Sequence, residues 1–269
     1  MQTDSGIVVE KSAEGIVDIR LNRPDRLNAL GVDMTNALLA AITGAAAGDA
    51  RVILIRGTGR AFCAGADLKE RRTMDEAARV KHNRAINAAV DALGAAPMPT
   101  LCAINGLALG GGCEIALACD LRYAAEDAQI GLTEARIGAI PGAGGTQRMP
   151  RAIGAMRALE LILTGEPITG KRAEEIGLIN AAVAADKIDA HVMRIASVLA
   201  SRSPSGARTA KRLIYGGLET TLAEGLKLEA GALREILTSA DYAEGLAAFA
   251  EKRPPRFGAS TATVTGKAR

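Results

Sequence analysis

Two hydrophobic rhythms alternate along the first two thirds of the chain. "GIVDIRLN" (15–22) and "RVILIRG" (51–57) are short β-branched runs and predict strands. Between them, residues from Asp33 to Ala47 predict a helix. Helix, strand and glycine turn then recur. Residues 75–94 have helical spacing, "TLCAING" (100–106) reads as a strand ending in a turn, and "GGCEIALAC" (111–119) starts another helix. "LRYAAEDAQIGL" (121–132) predicts two short extended pieces around an Ala-Glu-Asp turn. Strands alternating with helices predict an α/β fold with a largely parallel sheet. After about Ile179 the rhythm changes. Residues 186–251 carry several amphipathic helical stretches, punctuated by "SPSG" (203–206) and "YGGLET" (215–220). Their apolar faces need something to pack against, and partner subunits would supply it.

Composition narrows the class. The chain has 269 residues, 48% hydrophobic and 23% charged, as expected of a soluble globular protein with a full core. A net charge of +3 and an aromatic content of 2% offer little to nucleic acid. The longest apolar run, Leu101 to Cys119, contains Asn105, Glu114 and four glycines, so it reads as strand, turn and buried helix rather than a membrane span. "MQTDSGIVVE" has neither a basic n-region nor an apolar h-region, which predicts no secretory signal and a cytoplasmic location. Cys63, Cys102, Cys113 and Cys119 show no metal spacing and have only His82 and His191 to help them, so no metal site is expected. They read as reduced core residues.

Several signatures fail on inspection. "GEPITGKR" (165–172) follows the phosphate-loop pattern only up to Lys171, because Arg172 replaces the hydroxyl that would hold magnesium. It reads as a turn feeding a helix. "GAGGTQ" (142–147) lacks the last glycine of a dinucleotide fingerprint. What survives is dispersed. "AFCAGADLKE" (61–70) and "NGLALGGGCE" (105–114) each follow a strand and open a helix through glycine. Such junctions leave main-chain N–H groups without intrahelical partners at the positive end of a dipole. Two of them aimed at one point would form an oxyanion hole, whereas tight turns packed through glycine are the plain alternative. Glu114 lies one helical turn inside the second junction, in an otherwise apolar run, and Glu134 follows the extended pair that returns from that helix. The two carboxyl groups could supply an acid and a base if burial raises one of their pKa values. Alternatively, Glu114 pairs with a buried Arg136 or Arg148, and Glu134 is a surface residue.

Taken together these segments resemble the crotonase, or enoyl-CoA hydratase/isomerase, superfamily. The resemblance runs from "LNRPDRLNAL" (21–30) through "IGLTEARIGAIPGAGGTQRMPRAIG" (130–154) to "AEGLAAFAEKRPP" (243–255). It implies an α/β fold with a ββα spiral core over residues 1–195. A helical C-terminal region at 196–256 would build trimers or dimers of trimers, and residues 257–269 would form a disordered tail. It further implies an acyl-CoA substrate and no separate cofactor, since coenzyme A is part of the substrate. By position, the N–H groups of Ala66 and Gly111 would hold the thioester oxygen. Glu114 would be the base that activates water and Glu134 the donor of a proton to the α-carbon. Arg26, Leu27, Ala64, Asp67, Leu68 and Lys69 fall where relatives contact coenzyme A, and Phe249 and Lys252 match positions that reach it from a neighbouring subunit. The implied activity is hydration of a 2-enoyl thioester. The alternatives are a double-bond isomerase, a hydratase of branched 3-methylglutaconyl thioesters, or a non-catalytic binder of acyl-CoA or RNA.

Overall fold

The computed structural model describes residues 5–258. They divide into two compact units, the first ending at Ala196 and the second beginning at Ser197.

The first unit opens with an antiparallel pair, β1 (Ile7–Lys11) and β2 (Ile16–Leu21), followed by helix α1 (Val32–Ala47). The chain then repeats one path three times. A strand of a large sheet turns tightly into a strand of a small sheet, and a helical segment leads back. The first turn is β3 (Val52–Gly57), β4 (Ala61–Cys63), α2 (Leu68–Arg71) and α3 (Glu76–Gly94). The second is β5 (Thr100–Ile104), β6 (Leu107–Leu109) and α4 (Gly111–Ala118). The third is β7 (Leu121–Ala125), β8 (Gln129–Gly131), a short 3-10 turn at 134–137, α5 (Gly145–Ile153) and α6 (Ala155–Thr164). The segment β9 (Ile168–Thr169), α7 (Gly170–Glu175), β10 (Ala181–Val183) and α8 (Ile188–Ala200) follows, and the boundary between the units falls within α8.

The large sheet has the order β1-β2-β3-β5-β7-β10 and is parallel except at β1. The small sheet, β4-β6-β8-β9, is parallel except at β9. This is the ββα spiral implied by the sequence resemblance. Its turns stack closely: a Cβ at Gly106 would lie 2.1 Å from the carbonyl oxygen of Arg60, so only glycine fits where the second turn crosses the first.

Strand periodicity assigns the core. Ile53, Ile55, Cys102 and Ile104 share one buried cluster with Met34, Leu38 and Ile42 of α1 and with Ile86, Val90 and Leu93 of α3. The alternate residues Val52, Leu54, Leu101 and Ala103 are equally buried but face the other way. There α8 covers the sheet. His191 packs on Tyr123 with ring centroids 5.1 Å apart, and Asp189 accepts a bond from Arg56 Nη1 at 3.2 Å. Arg56 also pairs with the buried Asp18 next to it in the sheet. All four cysteines are buried and free, and burial pushes the Cys63 thiol up to about 12. "ITGKR" makes β9 and the start of α7, the turn feeding a helix that its spacing predicts.

The second unit is helical: the end of α8, then α9 (Pro204–Leu218), α10 (Leu222–Leu237) and α11 (Ala240–Ala250). The sequence punctuation is helix capping. Ser203 accepts from the Gly206 amide at 3.0 Å with Pro204 behind it, and Thr221 with Glu224 forms a capping box. Asp241 accepts from Ser203 and Ser205 at 2.6 and 3.0 Å, which ties the starts of α9 and α11 together. No helix of the described residues is long and apolar enough to cross a membrane. Of the tail expected at 257–269, all beyond residue 258 lies outside the described residues.

Candidate active site

The site begins at the second strand–helix junction. Where β6 ends, Gly110 takes φ +51° and donates its N–H to Gly131 O at 2.9 Å. Helix α4 starts at Gly111, whose N–H, as the first of the helix, has no intrahelical acceptor and sits at the positive end of the dipole. Neighbouring glycines serve different needs. A Cβ at Gly112 would lie 2.0 Å from Cys63 O, so that position is closed by packing. A Cβ at Gly111 would meet nothing nearer than Leu30 Cδ1 at 3.4 Å, with Ala66 N at 3.8 Å.

The first junction delivers its amide differently. Ala66 forms an isolated parallel bridge with Leu30, made by Leu30 N–H to Gly65 O at 2.8 Å and Asp67 N–H to Leu30 O at 3.0 Å. The N–H of Ala66 takes part in neither bond. Gly65, at φ +89°, brings this segment against the other junction, because its Cβ would lie 3.2 Å from Gly111 N. At the start of α2 the amides of Lys69 and Glu70 donate to the Asp67 carboxylate at 3.1 and 3.2 Å. Ala66 is supplied by a bridge two residues upstream of α2.

Ala66 and Gly111 line a cavity of about 250 Å³, which Glu114 and Glu134 also line. Glu114 is 2% exposed. Its Oε1 accepts from the Ala143 and Gly145 amides at 2.6 and 2.9 Å, where the "PGAGG" loop leads into α5. Burial holds its pKa above the ordinary carboxylate value, opposed by those two bonds and by the charges of Arg148 and Arg71. Among the described residues no arginine pairs with it directly. Arg148 binds Asp91 at 2.9 Å, and Arg136 binds Glu166 at 2.7 Å. The amides of residues 143 and 145 escaped the sequence reading, although glycines ahead of a helix are the signal for an anion site.

Glu134 opens the 3-10 turn that follows β8. The Gly110–Gly131 bond brings it beside Gly110, whose Cβ would lie 3.0 Å from Glu134 Oε1. The residue is half-buried rather than on the surface, and its Oε2 is buried without a hydrogen-bond partner. Burial raises its pKa and the charge of Glu114 adds to that, while its own amide and Arg71 oppose it.

Ala64 and Leu68 also line the cavity. Leu27, held at φ +53°, accepts from the Ala64 amide at 3.0 Å, and buried Asn28 fastens the loop by donating to Thr58 O and Ala61 O at 3.0 and 2.8 Å. Arg26 and Lys69 are exposed and do not line the cavity. Asp67 is 5% exposed, and its carboxylate caps α2 and lies 3.8 Å from Arg23, so any ligand contact there falls to the main chain. Phe249 and Lys252 belong to the second unit. Phe249, near the end of α11, is 86% exposed, and Lys252 follows the helix at φ +54°. The sequence reading missed Arg71, which reaches the cavity wall from the last position of α2.

A model of the family described as enoyl-CoA hydratase/isomerase matches residues 11–260. The chain belongs to this family. A crystal structure of an enoyl-CoA hydratase from Bacillus anthracis superposes with a TM-score of 0.91 and 41% identity, over 94% of this chain and 98% of that one. Human enoyl-CoA hydratase domain-containing protein 2, mitochondrial, is 42% identical over 250 residues, 91% of this chain and 86% of that protein. Human methylglutaconyl-CoA hydratase, mitochondrial, is 40% identical over 255 residues, 93% of this chain and 75% of that protein.

Proposed function

We propose that this protein is an enoyl-CoA hydratase, adding water reversibly across the 2,3 double bond of a 2-enoyl thioester. The observation that carries the reading is a single cavity lined by two open amides and two carboxyl groups with raised pKa values. The thioester oxygen lies between the N–H groups of Ala66 and Gly111. Glu114 takes a proton from water as the water oxygen bonds to C3. The double-bond electrons move to the thioester oxygen, giving an enolate that the two amides stabilise. The enolate collapses as C2 takes the proton of Glu134, and proton transfer between the carboxyl groups restores the site. The division of labour follows their surroundings: two amides favour an ionised Glu114, while the unpartnered Oε2 of Glu134 favours a protonated acid.

Exposed Arg26 and Lys69 suit the coenzyme phosphates, with the main chain at Leu27, Ala64 and Asp67 and the side chain of Leu68 bordering the rest. Phe249 and Lys252 act from a neighbouring copy in a homo-oligomer, a trimer or a dimer of trimers. Exposed Met156, Leu159 and Leu163 at helical spacing on α6 and exposed Leu218 and Leu222 support self-association. The experiment is the loss of enoyl absorbance with crotonyl-CoA. Absence of that loss, with turnover of a 3-enoyl thioester, makes the protein an isomerase that uses the same site to shuttle a proton.

A further inference from the structure

The loop ahead of α5 is bonded on two sides. Inward, the Ala143 and Gly145 amides donate to Glu114 Oε1. Outward, two of its carbonyls are tied down. Gly142 O accepts from Asn83 Nδ2 at 3.3 Å, and Ala143 O accepts from Arg148 Nη1 at 2.9 Å. Arg148 gives its other arm to Asp91 Oδ1, also at 2.9 Å, about two turns along α3 from Asn83. Its guanidinium lies against the loop, because a Cβ at Gly144 would fall 2.1 Å from Nη1. One side chain of α5 therefore fastens the loop to α3 through a charged fork.

The peptide between Gly142 and Ala143 shows what such anchoring achieves. Its oxygen accepts from Asn83 while its N–H donates to Glu114, so each bond polarises the other. Three of the five residues in "PGAGG" (141–145) are glycine, and a chain so free has little of its own to keep two amides converged on one oxygen. Arg148 also brings charge. Its side chain is mostly enclosed and is not part of the cavity wall, so it reaches Glu114 only through the loop and through its field. Burial raises the Glu114 pKa; the two amide bonds oppose it first, and the Arg148 charge next. The other charges acting on Glu114 are those of Arg71 from α2 and Glu134 from the 3-10 turn. Burial keeps the Cys113 thiol of α4 and the Cys63 thiol of β4 neutral, and the acid on α3, Asp91, is taken up by Arg148.

We propose that Arg148, fastened to α3 by Asp91, is a positioning residue that holds the loop so that its two inward amides stay on Glu114, and that it supports the charged form of that base without touching it. The role of Glu114 as base rests on the hydratase reading, but the first test does not need turnover.

That test is a cycle of melting temperatures over the wild type, Glu114→Gln, Arg148→Met and the double variant. Near neutral pH, the gain from Glu114→Gln should be larger in the Arg148→Met background by about 2–4 °C, because a carboxylate that has lost its support is the costlier one to keep. Below pH 4.5 the difference should vanish, since Glu114 is then protonated in both backgrounds. A gain equal in the two backgrounds near neutral pH, or a difference of the same size in acid, overturns the proposal. If Arg148→Met does not fold, the same cycle run with Arg148→Lys decides. Lysine keeps the charge but has no fork to bridge Ala143 O and Asp91, so a smaller difference of the same sign is expected and none overturns the proposal. In turnover with crotonyl-CoA, Arg148→Met should lower kcat about tenfold or more near pH 6 with KM little changed. The deficit should narrow as pH rises and Glu114 regains its charge, and Arg148→Lys should recover part of it. A loss that appears in KM instead, or a kcat deficit independent of pH, makes Arg148 a structural clamp and overturns the proposal. A protein that hydrates no enoyl thioester refutes the hydratase reading and leaves the melting cycle to decide on Arg148.

Discussion

Glu114 and Glu134 border one cavity and are held in opposite ways. Glu114 is fully enclosed and pinned through Oε1 by two amides of the loop ahead of α5. Glu134 rides on a short 3-10 turn, half-buried, with Oε2 enclosed and unpartnered. Burial raises both pKa values, but only Glu114 has donors that favour its charged form against that burial from outside its own turn. Chemical identity is therefore a poor guide to role. In the proposed reaction, surroundings separate a fixed base from an adjustable acid.

The sharpest way to break the comparison is to remove each charge. Glu114→Gln and Glu134→Gln should each lower turnover by about two to four orders of magnitude, the range for losing an acid–base group, measured as the initial rate of enoyl absorbance loss. An unfolded variant with near-normal specific activity would make that residue structural. Next comes the anchoring of each group. Alanine at Gly145 would put a Cβ 3.0 Å from Glu114 Oε1 and 2.8 Å from Leu132 Cδ1 and Pro141 Cβ. Because Glu114 cannot swing away, a cost of about 1–3 kcal/mol in denaturant unfolding is expected, with loss of turnover. Alanine at Gly110 lies at φ +51° and 3.0 Å from Glu134 Oε1. Here the freer carboxylate can move, and the cost should be the about 1–3 kcal/mol of holding a Cβ-bearing residue at this positive φ with ψ −122°.

The smallest effect concerns pH and stability. Both carboxyls have folded pKa values above the ordinary 4.5, so the folded state holds their protons more tightly than the unfolded chain does. The stability this confers is complete below 4.5 and is lost as pH rises through the raised values. Each Gln variant should accordingly match the wild-type melting temperature in acid and gain on it as pH rises towards neutrality. The gain should be larger for Glu134→Gln, since Glu114→Gln gives up two charge-assisted bonds. Equal gains would mean that the two surroundings do not differ in energy.

Much of this fold was legible in the sequence where elements are long enough to show a period. The strands at 16–21 and 52–57 and helices α1 and α3 follow their hydrophobic spacing. The second sheet was not legible that way. Its strands β4, β6 and β8 have three residues each and β9 has two, too few for any alternation, and residue resemblance rather than rhythm implied the spiral. At the site, the isolated Glu114 in an apolar run and the glycine junctions were plain. The amides at 143 and 145 were hidden because main-chain donors carry no side-chain signature. Arg71 was hidden because one more arginine in "KERR" looks like solvated surface until α2 turns it inward. Asp67 shows the converse, a residue expected at a ligand whose carboxylate is spent on capping α2.

The alternation of strands between two sheets has a consequence for how the site comes into being. Ala66, Gly111 and Glu134 sit on three successive turns of the spiral, and none of their mutual contacts is local in sequence. The amide pair cannot exist until the second turn has docked on the first, nor the carboxyl pair until the third has closed over both. Catalytic competence should therefore be a late event in folding, arriving with the last turn rather than building up gradually. A nascent chain released after α4 would hold both amides of the proposed cradle and Glu114 but lack Glu134.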